Sequence, residues 1–367
     1  MFIKVARLCS LLLVMVCLGV NAQVRTPKYS NEFLNIGVGG RALGMGNVQS
    51  AIASDATAGI WNPAGLLQMR NKHNVALMHS ELFAGIVKND YASYATPLDT
   101  ANAIAISVIR TGVDDIADTR NLINEYGYVN YDNIRLFSVA DYALFLSYAH
   151  RTKLIKGLRV GGSVKIIYRN VGEFANAYGF GLDAGAQLER QGWQFGLMAK
   201  DISTTFNAWV HNPDSFKETA VLTGDSLLIK SSVELTLPRL VAGVAHNLKF
   251  SDKISALVAA DLDFTFDGRR NVLLHSNVIS VDPHIGLEVN YNQLVFVRAG
   301  INNVQQVNNF NATQRWRSQP NFGVGISTSG FKLDLALTRL ADTTPTNNFS
   351  DNARLSSVIV SLGYSFD

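Results

Sequence analysis

Gly37, Gly39 and Ala42, with Asp55 further along, match the spacing of a dinucleotide loop, G-x-G-x-x-G/A followed by an acid for a ribose hydroxyl. Glycines at that spacing let backbone approach a pyrophosphate, and a helix opening at the loop turns its N–H groups toward the charge. The chemistry needs a buried strand before the turn and a helix after it, within a βαβ unit. Here the preceding residues, PKYSNEFLNI, are mixed and polar, and no parallel-sheet pattern follows. No cofactor is expected.

Other chemistry-bearing residues are sparse. The histidines at 73, 79, 150, 211, 246, 275 and 284 show no H-E-x-x-H spacing, and no G-x-S-x-G elbow occurs. Asp114, Asp115 and Asp118 lack the D-x-D-x-D-G order of a calcium loop and read as a solvated loop. Both cysteines, Cys9 and Cys17, lie in one N-terminal apolar run, so thiolate chemistry and disulfides are not expected in the remainder. No catalytic, cofactor-binding or metal-binding residue is assigned, and the protein is not expected to be an enzyme.

That N-terminal run fixes the compartment. Lys4 and Arg7 precede LCSLLLVMVCLGV and the small-residue site Val20-Asn21-Ala22, which predicts a signal peptide over residues 1–22, cleaved before Gln23. The run is too short to span a membrane as a helix. A lipoprotein site at Cys17 is set aside because Val16 stands where a small residue is required. Of 32 Lys and Arg against 29 Asp and Glu, removing Lys4 and Arg7 leaves 30 against 29, a balance that argues against nucleic acid as a partner.

The elements that must position any site are strands. The chain is 47% hydrophobic and only 17% charged, yet no later stretch is long enough for a spanning helix. The apolar residues alternate instead. In KISALVAADLDFTF, Ile254, Val258, Leu262 and Phe264 fall on one face and Lys253, Ser255, Asp261 and Asp263 on the other. Fourteen such segments are predicted, at 73–81, 89–97, 101–111, 138–150, 157–170, 178–190, 192–202, 238–248, 253–266, 282–291, 293–302, 319–328, 330–340 and 355–366.

Connections after even-numbered segments are mostly tight, as at Gln191-Gly192, Tyr291-Asn292 and Ser329-Gly330. After odd-numbered ones they run long, notably 111–137, 203–237, 303–318 and 341–354. Short turns at one end and long loops at the other are the plan of an outer-membrane barrel with both termini periplasmic. A soluble β-sandwich predicts no such asymmetry. The last segment carries Val358, Val360, Leu362, Tyr364 and Phe366 on one face. Aromatics so placed resemble the C-terminal signal for outer-membrane assembly, for which Tyr364 and Phe366 are the candidates.

The predicted fold is therefore all-β: a transmembrane antiparallel barrel of fourteen strands over residues 73–367, in contact with outer-membrane lipids, with an N-terminal periplasmic or plug segment over 23–72. Residues 31 to 67 read as a compact block tucked into the periplasmic mouth, where glycines at 37, 39, 40, 44 and 46 permit close packing.

FLNIGVGGRALGMGNVQSAIASDATAGIWNPAGL resembles the N-terminal signature of PorV/PorQ-like proteins of Bacteroidota, a branch of the FadL-like barrels. Trp61-Asn62-Pro63-Ala64-Gly65 resembles the NPAG box of the wider FadL group. The resemblance implies a plug motif at Gly39, Gly40, Arg41, Gly44, Gly46, Asn62, Pro63, Ala64 and Gly65. It also implies an integral outer-membrane subunit of the type IX secretion system, whose partners are the translocon barrel and cargo C-terminal domains. The rival reading is a FadL-type channel for hydrophobic small molecules. Arg159, Lys165, Arg169, Asp261, Asp263, Glu288, Arg298, Lys332 and Asp334 are expected to face the lumen, where opposite charges seal it rather than line an apolar path. The longest loop, 203–237, offers Phe206, Trp209 and Phe216 as aromatic anchors for a partner.

Overall fold

The structure, a computed structural model, describes residues 30–124, 126–212, 232–308, 314–339, 341–342 and 356–367. The expected signal peptide and Phe216 lie outside them. Fourteen antiparallel strands form the wall. They are β1 (His73–Leu82), β2 (Val87–Pro97), β3 (Asn102–Asp118), β4 (Arg135–Arg151), β5 (Leu158–Val171), β6 (Ala175–Arg190), β7 in two pieces (Trp193–Lys200, Thr205–His211) and β8 in two pieces (Ser232–Thr236, Arg239–Lys249). They continue with β9 (Ile254–Thr265), β10 (Ser280–Tyr291), β11 (Val295–Asn308), β12 (Gln314–Thr328), β13 (Phe331–Arg339) and β14 (Ser356–Phe366). The last strand pairs with the first, His73 opposite Phe366 and Glu81 opposite Val358, so the sheet closes and keeps no free edge.

Alternation decides which residues face which side. Along β14 the residues Val358, Val360 and Leu362 are exposed on the outside while Ser357, Ile359 and Ser361 are buried within. Leu77, Ile106, Leu146, Ile166, Leu197, Val258, Leu287, Val324 and Leu335 continue the exposed apolar surface around the wall. A girdle of this extent is stable only against hydrocarbon, because water-soluble proteins keep such patches small.

The turns sort as expected, with two corrections. At one end lie 98–101, 152–157, 191–192, 250–253, 292–294 and 329–330. At Gln191 (φ 53) and Gly192 (φ 81) the backbone takes the left-handed region twice, as the two-residue hairpin turn requires. The other end carries 119–134, 266–279 and the long segment after His211, but its connections 83–86 and 172–174 are short as well. The predicted long loops also begin too early. β3 runs on to Asp118, β7 to His211 and β11 to Asn308, as pleated extensions beyond the apolar band. Bulges at Val113/Ile116 and Asn302/Gln305 shift the register of β3 and β11, and β7 breaks at 201–204, so the period-two signal is interrupted before the strand ends.

Residues 30 to 72 fill the lumen. Short helices α1 (Gly40–Gly44) and α2 (Ala58–Trp61) are flanked by 3-10 turns at Glu32–Asn35 and Pro63–Gln68. Buried Val38, Ala58, Trp61 and Leu66 meet inward Met78, Ile109, Phe145 and Ile167, while Met45 packs in a second cluster with Ala245, Leu257 and Ala259. The segment is not confined to one mouth of the barrel. Ser30 Oγ lies 2.6 Å from Thr236 Oγ1, where β8 breaks between its two pieces, whereas the Lys72 amide donates to Asp367 at the short-turn end, so the segment runs from that end well up the lumen.

Candidate functional site

Wall glycines make the space into which the plug fits. A Cβ on Gly323 would sit 3.2 Å from the Gly44 Cα, and a Cβ on Gly286 would meet the Met45 carbonyl oxygen at 2.6 Å. Side chains at Gly196 or Gly300 would run into the backbone at Ser50 and Met45. Glycine inside a strand weakens it, and here each marks a close backbone approach.

The NPAG box works through its amide. Asn62 accepts from the Ala64 amide, and its Nδ2 donates to the Ser50 carbonyl at 2.7 Å and to the Ala186 carbonyl on β6 at 3.1 Å. Pro63 pre-sets the following 3-10 turn and packs over Gly161. Gly65 is forced by the carbonyl of Ala53 directly beneath it.

Four charged groups tie the plug to three strands. Arg41 donates from Nε and Nη2 to both oxygens of Glu288 on β10, each at 3.0 Å. Arg298 on β11 donates to Glu288 at 2.6 Å and to Asp334 on β13 at 2.7 Å. Burial disfavours the charge on Arg41, but Glu288 outweighs it and holds the guanidinium above its ordinary range. A second contact is made by Asp261, which accepts from the amides of Gln49 and Ser50 and from the Ser50 hydroxyl. A third cluster, where β7 breaks, sets buried Lys165 2.8 Å from Asp183 and 2.5 Å from Asp201.

The plug divides the lumen into two vestibules. The outer, at the long-loop end, is a cavity of about 390 Å³ lined by Ile36, Leu43, Trp61, Lys200, Asp282 and His284 among others. The inner, at the short-turn end, measures about 700 Å³ and is lined by Asp55, Gln68, Arg70, Asn290 and Lys332 with Arg41 and Glu288 at its floor. Between them stand Arg41, the Gln49–Ser50 turn and their partners.

The other candidates fall in separate places. Gly37, Gly39 and Ala42 open a five-residue helix with no strand before it, and Asp55 caps Thr57. Asp114 faces Lys88 and Asp118 faces Arg120, so the two acids do not converge. Arg169 pairs with Asp141 and Glu234, and Asp263 with Arg239. Tyr364 stacks near Phe331 and Phe366 beside the closing seam, with His73 on the other side of Phe366. Phe206 and Trp209 are not in a loop: both lie on the second piece of β7, on opposite faces. Phe206 is exposed outside, near Phe180, while Trp209 Nε1 donates inward to Glu234 at 2.8 Å. Sequence reasoning missed Glu32, Asp183, Gln187, Arg239 and Arg270. Inward polar positions within strands were the available signal for Asp183, Gln187 and Arg239, whereas Glu32 and Arg270 lie outside the strands and carried none.

No protein-family model matches the chain, and no curated protein matches its sequence. Solved structures do. It is similar to the CymD monoaromatic hydrocarbon channel, at TM-score 0.57 and 14% identity over 90% of this chain and 98% of that one. It is similar to the Pseudomonas putida toluene transporter TodX, at 0.57 and 13% over 90% and 98%. The Ralstonia pickettii toluene transporter TbuX aligns at 0.52 and 12% over 90% and 99%. These neighbours are channels and transporters, and at such identities the likeness is one of architecture. The chain has the closed fourteen-stranded antiparallel barrel fold of FadL-type outer-membrane proteins.

Proposed function

We propose that this protein is an integral outer-membrane channel for hydrophobic small molecules, with the short turns in the periplasm and the plug as its closure. This reverses the order of the two sequence-based expectations. The observation that carries it is the pair of vestibules on either side of a plug, inside a wall whose fold is shared over nearly the whole length of hydrocarbon channels. Passage requires the plug to shift, since the layer around Arg41 and Ser50 separates the two spaces. Uptake of toluene into vesicles carrying the purified protein tests the reading. Rates equal to those of protein-free vesicles would refute it.

The type IX secretion reading keeps one observation in its favour. The Arg41–Glu288–Arg298–Asp334 lattice closes the lumen with paired charges, which suits a docking subunit better than an open apolar path. Co-purification of translocon subunits and cargo C-terminal domains from solubilised outer membranes would support it, and their absence would remove it.

A further inference from the structure

We propose that the outer vestibule binds a small zwitterion with an apolar body, of the chemistry of a hydrophobic dipeptide. The inference rests on the channel reading and names the ligand class that this end of the channel selects.

The argument starts from groups left over after pairing. Arg239 is engaged by Asp263 at 3.2 Å, and Arg270 by Asp267 and Glu32. Lys200 makes no ion pair among the described residues. Its ammonium stands 5.7 Å from the centroid of the Trp61 ring, facing the same cavity. A half-buried amine without a counter-ion holds its charge best with an anion from outside beside it. On the opposite flank the surplus has the other sign. Asp282 Oδ1 and Asn47 Oδ1 are buried acceptors with no donor, and His284 Nε2, also without a hydrogen bond, lies 3.4 Å from Asp282. Buried polar atoms are normally satisfied, so acceptors without donors mark where a donor-bearing ligand fits.

Spacing separates the two ends. Lys200 pairs in register with Arg239, Val241 with Asp263, and Asp263 with Asp282. Two strands thus intervene between cation and acid, roughly 14 Å along the wall at ~4.8 Å per strand and less across the lumen. One rigid ion cannot meet both, whereas a molecule with a carboxylate at one end and an ammonium at the other can. Ile36 and Leu43 line the same cavity. A cavity of about 390 Å³ lies within the range of small-molecule sites.

The test uses the full barrel in lipid nanodiscs, with Trp fluorescence and calorimetry as readouts. The probes are leucyl-leucine, N-acetyl-leucine, leucinamide and toluene. Leucyl-leucine is expected to bind about tenfold more tightly than either singly charged probe. Lys200→Met should weaken leucyl-leucine and N-acetyl-leucine about tenfold and leave leucinamide unchanged. Asp282→Asn should do the reverse, and Lys200→Arg should retain binding. Equal affinity for all four probes, or dipeptide binding untouched by both substitutions, overturns the proposal. The four-probe comparison on the unaltered protein stands even where a variant folds poorly. Toluene uptake by vesicles is scored separately, so loss of the channel reading and loss of the zwitterion site give different results.

Discussion

Arg298 on β11 reaches Asp334 on β13 at 2.7 Å across the face of the strand between them, and Gly325 on that strand leaves the gap. A Cβ at Gly325 would sit 2.6 Å from Arg298 Nη1 and closer still to Asp334 Oδ1. The wall residue nearest the lattice is thus glycine because an ion pair crosses in front of it.

Gly325→Val is expected to split that pair and leave two buried charges without partners, a change of about 3 kcal/mol or more against the folded barrel. Heat-modifiable migration on a gel measures the folded fraction. The shift should be clearly larger than that of Gly162→Val, where a Cβ comes no nearer than 3.4 Å, to the Asp183 carbonyl.

Arg41→Met removes the plug's side of the lattice while Glu288 keeps Arg298. The barrel is expected to fold, because the wall hydrogen bonds are untouched, and the two vestibules to communicate. Single-channel conductance in planar bilayers checks this: openings should be more frequent than in the unaltered protein, and identical traces would remove Arg41 as a latch.

How much of this was legible beforehand varies by element. The Ile254–Thr265 strand was plain, since Val258 and Leu262 turn to lipid and Asp261 to the lumen, and fourteen repeats of that pattern define a barrel. The plug motif was placed in the lumen by its glycines, but its path was not, because Ser30–Thr236 is a contact between residues 206 apart that no local pattern encodes. The lumen-facing charges were named singly. Their pairing depends on which strands become neighbours, and Arg298 reaches Asp334 only because β12 brings Gly325 between them. Trp209 falls outside the predicted segment because β7 breaks at 201–204, where Asp201 and Thr204 take positive φ, and the alternation does not carry across the break.

Acid should loosen the plug. Asp55 is disfavoured as an anion by burial, but Lys332, the Thr57 hydroxyl and Arg41 outweigh this and hold its carboxyl below the ordinary 3.8. A depressed folded pKa means that the contribution is complete above the unfolded value and is lost as pH falls through the folded one. Protease susceptibility of the plug is therefore expected to rise below about pH 4. Asp55→Asn should lower protection at pH 7 and flatten the acid response of that site.

Topology follows from the turns. A short tag inserted at Gly127, in the exposed 119–134 loop, is expected to be labelled on intact cells, and one at Gly192 only after the outer membrane is opened. Labelling of both before opening would invert or abolish the proposed orientation.

The aromatic pair on β7 separates stability from docking. Trp209 Nε1 donates to Glu234, and the Arg169 guanidinium lies 5.1 Å from its ring, so truncation strips a hydrogen bond and a cation–π contact from one inward cluster. Trp209→Ala is expected to cost about 2 kcal/mol and to lower the temperature at which the heat-modifiable band converts. Phe206 faces outward beside Phe180 with 42% of its surface exposed, so Phe206→Ala should change that temperature little. The same two variants weigh the secretion reading. A partner that used β7 as its anchor would lose co-purification with Phe206→Ala at unchanged barrel stability, whereas a partner lost only with Trp209→Ala would be reporting the collapse of the Arg169–Glu234 cluster rather than a docking contact.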